Sequence, residues 1–379
     1  MKVKFLDLAA QNREIWGRVA PELEAIHERT AYVGGAAVAD FEREFATFLG
    51  VRHVLGVGSG TDALRIALLA AGIGPGDEVV TVPLTFIATA AAIVQTGARP
   101  VFVDVEPGSN NMSIAALEDY LERKRWHTSN GPRAIMPVHL YGLPARMGEL
   151  REIARRHGIR LIEDACQAHG AKLNIAERWI NAGTVGDAGC FSFYPGKNLG
   201  GWGEGGAIAT NDDALAAAAS RLRDHGRVSH YAHDAIGYNA RLDAIQAAVL
   251  RAKLERLSEW NERRRTAAAR YRELLSQSDL VLPHEPEGAQ SCYHLFVVRS
   301  PKRDAIRQAL TQAEIESGVH YPIPLHLQPA CRFLGYRQGD FPVSEEVANT
   351  VLSLPMHPHL TRDHQDAVAG AVCEALARA

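Results

Sequence analysis

Between residues 40 and 210 the chain alternates short apolar runs with amphipathic stretches, and no other feature restricts its fold as strongly. Residues 54–57, 78–82, 100–104, 134–138 and 159–163 read as strands, while 62–71, 86–95 and 147–157 read as helices, the first ended by Gly72. Strands alternating with helices predict an α/β fold, a mostly parallel sheet covered by helices on both faces. Such sheets take ligands at the carboxyl ends of their strands. The turn Gly58-Ser59-Gly60-Thr61 and the carboxylate of Asp164 both fall at such ends.

Beyond this region, residues 242–275 carry apolar side chains at helical spacing with no Pro or Gly, which predicts one long helix. A strand over 294–298, a helix over 304–313 and a Pro- and His-rich loop over 319–329 follow. The first forty residues read as an arm with one helix over 21–30. A chain of 379 residues exceeds a single small core, so two domains are expected. These are 1–245, the arm and a large cofactor-binding domain, and 246–379, the linking helix and a small carboxyl-terminal domain. A net charge of −3 leaves no basic footprint for nucleic acid. The five cysteines show no zinc or disulfide spacing, which suits a reducing cytoplasm, and no signal peptide or membrane span is visible.

The chemistry concentrates in a few stretches. Glycines at 58 and 60 let backbone approach an anion at a helix start, where free N–H groups and the positive dipole end are presented. A tight turn capped by Ser59 or Thr61 explains the same residues equally well. The spacing does not follow the dinucleotide-binding fingerprint, which counts against a nicotinamide dehydrogenase. Phe86, just past the next strand, has the shape to stack on a planar ring, although a lone Phe is more often core. Asp164 ends an apolar strand, where a carboxylate needs a cationic partner or caps a helix. Gln167 and His169 add polar groups at the same rim. Ser192 and Lys197 share a loop with Gly200, Gly201, Gly203, Gly205 and Gly206, preceded by the apolar run 190–194. Partial burial there would depress the Lys pKa. Together these are the parts that hold pyridoxal phosphate: Lys197 for the imine, Asp164 for the pyridinium nitrogen, Ser192 for the phosphate. Asn239 and Arg241 precede the long helix and either reach an anion or merely start that helix. His320, Tyr321 and His326 lie in the Pro-rich loop, where rigid polar groups would line a substrate mouth. Metal binding is disfavoured, since no carboxylate or Cys accompanies them.

Residues 58–64, 85–89, Glu163-Asp164-Ala165-Cys166-Gln167-Ala168-His169-Gly170, 186–192 with Lys197-Asn198, and 237–242 together resemble the DegT/StrS-type sugar aminotransferases, in order and over nearly the whole chain. The resemblance implies a fold type I architecture, a large domain with a mostly parallel seven-stranded sheet flanked by helices and a smaller α+β carboxyl-terminal domain. It implies a pyridoxal 5'-phosphate enzyme that moves an amino group from glutamate to a keto group of a nucleotide-linked sugar, through the Lys197 imine and a pyridoxamine phosphate intermediate. A homodimer with shared active sites is implied as well. On matching positions, Gly60, Thr61 and Ser192 bind the phosphate, Phe86 stacks on the ring, Asp164 pairs with the ring nitrogen and Gln167 meets the phenolic oxygen. Asn239 reaches the phosphate across the dimer interface. His320 and Tyr321 contact substrate, with His326 placed in the same role.

Lys197 stands where dehydrating relatives carry His, so transamination is the expected outcome. Phe5-Leu6-Asp7-Leu8 and residues 72–77 resemble relatives acting at the sugar 3-position, which favours a 3-keto over a 4-keto sugar nucleotide or a keto-cyclitol. A catalytically silent cofactor- or sugar-binding regulator is the reading from a different class, and no appended DNA-binding module supports it. Residues 171–185 and 123–132 look longer than in that family and are expected to border the substrate mouth.

Overall fold

The computed structural model describes residues 2–127 and 131–378. Two helices come first, α1 (Leu8–Glu28) and α2 (Gly35–Leu49). The expected arm helix over 21–30 is therefore corrected: Pro21 lies inside α1 instead of near its start. Ile15 and Val19 pack with Val249, Ala252 and Trp260 of the later long helix, and that burial outweighs the breaker signal of one proline.

The alternating region forms β1 (His53–Val57), α3 (Gly60–Ala70), β2 (Glu78–Thr81), α4 (Ala88–Gln95), β3 (Arg99–Phe102), α5 (Ile114–His127), β4 (Ala134–Ile135), α6 (Met147–His157) and β5 (Arg160–Asp164). A hairpin, β6 (Lys172–Ile175) and β7 (Arg178–Asn181), precedes β8 (Ala188–Ser192), β9 (Gly206–Thr210) and α7 (Asp213–Arg223). The main sheet has seven strands in the order β1-β9-β8-β5-β4-β2-β3. Every pairing is parallel except those of β9, which runs against both β8 and β1. Its strands are buried on both faces, as a sheet between helix layers must be. Phe41, Phe45, Phe191 and Phe193 fill one face, and Leu64, Ile66, Ala67 and Ile208 the other.

The long helix α8 (Ala244–Leu274) matches its expected span closely. After it come β10 (Ala289–Gln290), β11 (Phe296–Arg299), α9 (Arg303–Gln312), α10 (Pro342–Thr350), β12 (Val351–Leu354) and α11 (Arg362–Arg378). Tyr271, Phe296, Leu310, Leu352 and Val372 form a further core there, joined by Val3 from the amino terminus. The segment after Gly318 crosses back over the sheet's edge. Leu325 N–H donates to Pro83 O at 2.7 Å, Arg99 donates to Leu334 O at 3.0 Å, and Asp104 accepts from Val343 and Ser344 N–H.

Residues 171–185 turn out to be compact. Ile175 pairs with Arg178 across Ala176 and Glu177, both at positive φ, so the hairpin closes with a two-residue turn. Within the one chain, no residue of 171–185 lines the central cavity among the described residues. Of 123–132, residues 123–127 end α5 and 128–130 lie outside the described residues.

Candidate active site

The carboxyl ends of β1, β2, β5 and β8 point to one edge of the sheet, and a cavity of about 560 Å³ opens there. Each strand delivers one part. Asp164 closes β5 and pairs in register with Cys190 of β8, while Ser192 closes β8. Beyond β1, Ser59 caps α3 by accepting from Asp62 N–H, which leaves Gly60 and Thr61 in the first turn facing the cavity. A Cβ on Gly60 would come within 2.6 Å of Ser192 Cβ, so glycine alone lets the helix start approach the end of β8. Phe86, 53% exposed, presents its ring to the cavity near Tyr321, with centroids 5.9 Å apart.

Lys197 faces the same cavity from the loop between β8 and β9. It keeps intermediate exposure through the open mouth, yet the protein packed around it pushes its pKa below the ordinary lysine value; Cys166, Asp164 and Cys292 oppose that shift. Asp164 is 5% exposed. It accepts from Thr89 Oγ1 at 2.8 Å and from Cys166 N–H at 3.2 Å. Among the described residues no Lys, Arg or His forms an ion pair with it, so a buried carboxylate faces the cavity with Lys197 nearby but no direct cationic partner.

Gln167 is held on both sides, its Oε1 accepting from Tyr141 N–H at 2.7 Å and its Nε2 donating to Tyr321 Oη at 3.2 Å. His320 Nδ1 lies 2.8 Å from Ser353 Oγ and its ring stacks on Phe5. Burial pushes the His320 pKa down to about 4 and that of His169 to about 3, with Lys197 adding to both shifts, so neither imidazole is charged near neutrality.

Two expected site residues lie elsewhere in this chain. His326 does not reach the mouth: its Nε2 is 2.9 Å from a Glu345 oxygen and its ring packs edge-on against Phe341. Packing of the crossing segment onto the sheet edge turns it inward. Asn239 is exposed, outside the cavity, with Oδ1 accepting from Arg241 at 2.8 Å. Conversely, the cavity includes Phe5, Leu6, Glu204 and His294, which residue-by-residue reading did not place there. For Thr89 a signal existed: it follows Thr85 by one helical turn, which puts both hydroxyls on one face.

These residues fit pyridoxal phosphate. The buried carboxylate without a direct ion-pair partner suits a protonated ring nitrogen, the depressed Lys suits an aldehyde, and the glycine-cleared helix start with Ser192 suits a phosphate. Among the described residues no group of three or more His, Cys, Asp or Glu is placed to hold a metal ion, and no helix is long and apolar enough to cross a membrane.

The model of the DegT/DnrJ/EryC1/StrS aminotransferase family matches residues 15–373. The chain is 42% identical to the dTDP-3-amino-3,4,6-trideoxy-alpha-D-glucose transaminase of Streptomyces venezuelae, over 98% of this chain and 96% of that one. It is also 42% identical to the UDP-N-acetyl-3-dehydro-alpha-D-glucosamine 3-aminotransferase of Acidithiobacillus ferrooxidans, over 95% and 94%. A pleiotropic regulatory protein of Geobacillus stearothermophilus is 42% identical over 99% and 98%. Among solved structures, a DegT DnrJ EryC1 StrS aminotransferase from Brucella abortus aligns with a TM-score of 0.94 at 39% identity, covering 98% of this chain and 99% of that one. NtdA of Bacillus subtilis, solved with bound cofactor PMP, aligns with a TM-score of 0.87 at 29% identity, covering 99% and 85%.

Proposed function

Because the chain belongs to the DegT/DnrJ/EryC1/StrS aminotransferase family, whose cofactor is pyridoxal 5'-phosphate, we propose that it transfers an amino group from glutamate to the 3-keto group of a nucleotide-linked sugar. The observation that carries this reading is the meeting of Lys197 on one cavity with the buried Asp164, which has no direct ion-pair partner. Relatives named for 3-amino and 3-dehydro sugars support the 3-position.

When bound, pyridoxal phosphate supplies an electron sink that lets a proton leave the carbon carrying the amine. The chain's own residues do the rest. Asp164 holds a positive charge at the ring nitrogen, and Phe86 offers its exposed face to the ring. The first-turn N–H groups of Gly60 and Thr61, with Ser192 Oγ, take the phosphate. Gln167, already fixed by Tyr141, offers its amide to the phenolic oxygen. Lys197 Nζ would accept a proton at one carbon and return it at another, a role that the lowering of its pKa by burial favours. His320 and Tyr321, at the mouth, face the sugar.

Lys197 is the one Lys or Arg among the described cavity residues, whereas glutamate and a nucleotide sugar both carry negative charge. The working unit in this reading is a homodimer with shared sites, in which the exposed Asn239 of a second copy reaches the phosphate. Its five free cysteines suit the cytoplasm. The test is spectroscopic: purified protein with pyridoxal phosphate shows a visible band that glutamate bleaches and a 3-keto nucleotide sugar restores. A band untouched by glutamate would instead favour a cofactor-binding regulator.

A further inference from the structure

We propose that Thr89, backed by Thr85, is a positioning residue that determines how firmly Asp164 holds the ring nitrogen of the cofactor. The inference rests on the pyridoxal phosphate reading above and concerns residues to which that reading gives no role.

Asp164 faces the cavity with each oxygen already engaged once, Oδ1 by Cys166 N–H at 3.2 Å and Oδ2 by Thr89 Oγ1 at 2.8 Å. Behind Thr89, the hydroxyl of Thr85 lies 3.0 Å from Thr89 Oγ1. Thr85 is 2% and Thr89 1% exposed, so water does not compete for these contacts. An ionised carboxylate only accepts, which obliges Thr89 to donate to Asp164 and leaves the Thr89 oxygen to accept from Thr85. The polarity of the relay is thereby fixed. Each donation polarises the next, and hydrogen bonds to a charged acceptor are the strong ones.

Two hydroxyls stabilise the carboxylate without cancelling its charge, as an Arg or Lys at the same place would. Asp164 therefore keeps a full negative charge for a ligand cation while its rotation is locked. The same turn of chain carries Phe86, and Thr89 N–H donates to Phe86 O at 3.2 Å. One helical start thus sets both the stacking surface and the relay, so ring and carboxylate are aligned from a single rigid element.

The test uses the full chain with pyridoxal phosphate, in Thr89→Val, Thr85→Val and Thr89→Ser forms. Cofactor affinity is measured by titrating cofactor-free protein, and the pH midpoint of the visible band is followed in the loaded protein. Loss of a buried hydrogen bond to a charged group predicts about tenfold weaker cofactor binding for Thr89→Val. A ring nitrogen held less firmly positive makes the Lys197 nitrogen easier to protonate, so the midpoint rises by roughly one pH unit. Thr89→Ser restores both values. Thr85→Val gives a smaller change of the same sign and carries the test should Thr89→Val fail to fold. A Thr89→Val protein with unchanged midpoint overturns the relay, even where stability or affinity falls, because that pattern marks a merely structural residue. Wild-type protein that takes up no pyridoxal phosphate overturns the functional reading and the relay together, whereas a loaded wild type matched by both valine variants overturns the relay alone.

Discussion

Lys197 shares its surroundings with imidazoles that burial keeps neutral, and that sets how the chain responds to acid. His169 and His320 have folded-state pKa values of about 3 and about 4, below the ordinary value near 6.5. A depressed pKa means that the unfolded chain takes up protons first as pH falls. The stability these groups contribute is complete above about 6.5 and is lost as pH drops through about 4 for His320 and about 3 for His169. For His320 the displacement corresponds to roughly 3 kcal/mol. Urea midpoints of the cofactor-free chain should therefore fall between pH 7 and pH 4, with a shallower slope in His320→Gln; an identical slope would remove His320 from the account. Lys197→Ala should abolish the cofactor's lysine-linked visible band and lower kcat by at least about a hundredfold. Steady-state transamination at the wild-type rate in that variant would refute the assigned role.

Helix α8 holds the lysine loop from behind. Asn261 donates to His169 O at 2.7 Å and accepts from Asn198 Nδ2, which also donates to Cys292 O. One turn on, the buried Arg264 donates to the carbonyls of Tyr293 and Met356. Asn261→Ala strips two buried groups of a partner and should cost about 2–3 kcal/mol in urea unfolding of the cofactor-free chain. A cost near zero would show that water replaces the amide. This helix was legible because its apolar spacing runs unbroken by Pro or Gly. Strands β8 and β9 were not: Ala188–Ser192 and Gly206–Thr210 are rich in Gly and Ala, whose strand propensity is poor. Packing against α3 decides their conformation, and no local pattern announces that β9 runs antiparallel. Helix α2 escaped notice for a similar reason, since it opens on Gly35-Ala36-Ala37 with no side-chain cap.

Across the whole molecule, the cavity joins parts from both ends of the chain. Phe5 and Leu6 meet His320 and Tyr321 there, because Val3 pairs with Ile315. The proposed homodimer would complete the site with the exposed Asn239 of a second copy. Chains carrying Lys197→Ala and Asn239→Ala, each impaired alone, should regain activity when refolded together, since a mixed dimer contains one intact site. Mixed protein no more active than its components would argue against shared sites.

The sequence by itself determined the layered α/β fold, the strand-end position of Asp164 and the residue types able to hold the cofactor, because periodicity and turn chemistry act within short windows. Only the tertiary structure decided that Thr89 meets Asp164 across 75 positions of chain, that His326 turns inward and that Asn239 stays outside. Those outcomes depend on strand order and on packing between distant segments, and neither leaves a mark in any local stretch of residues.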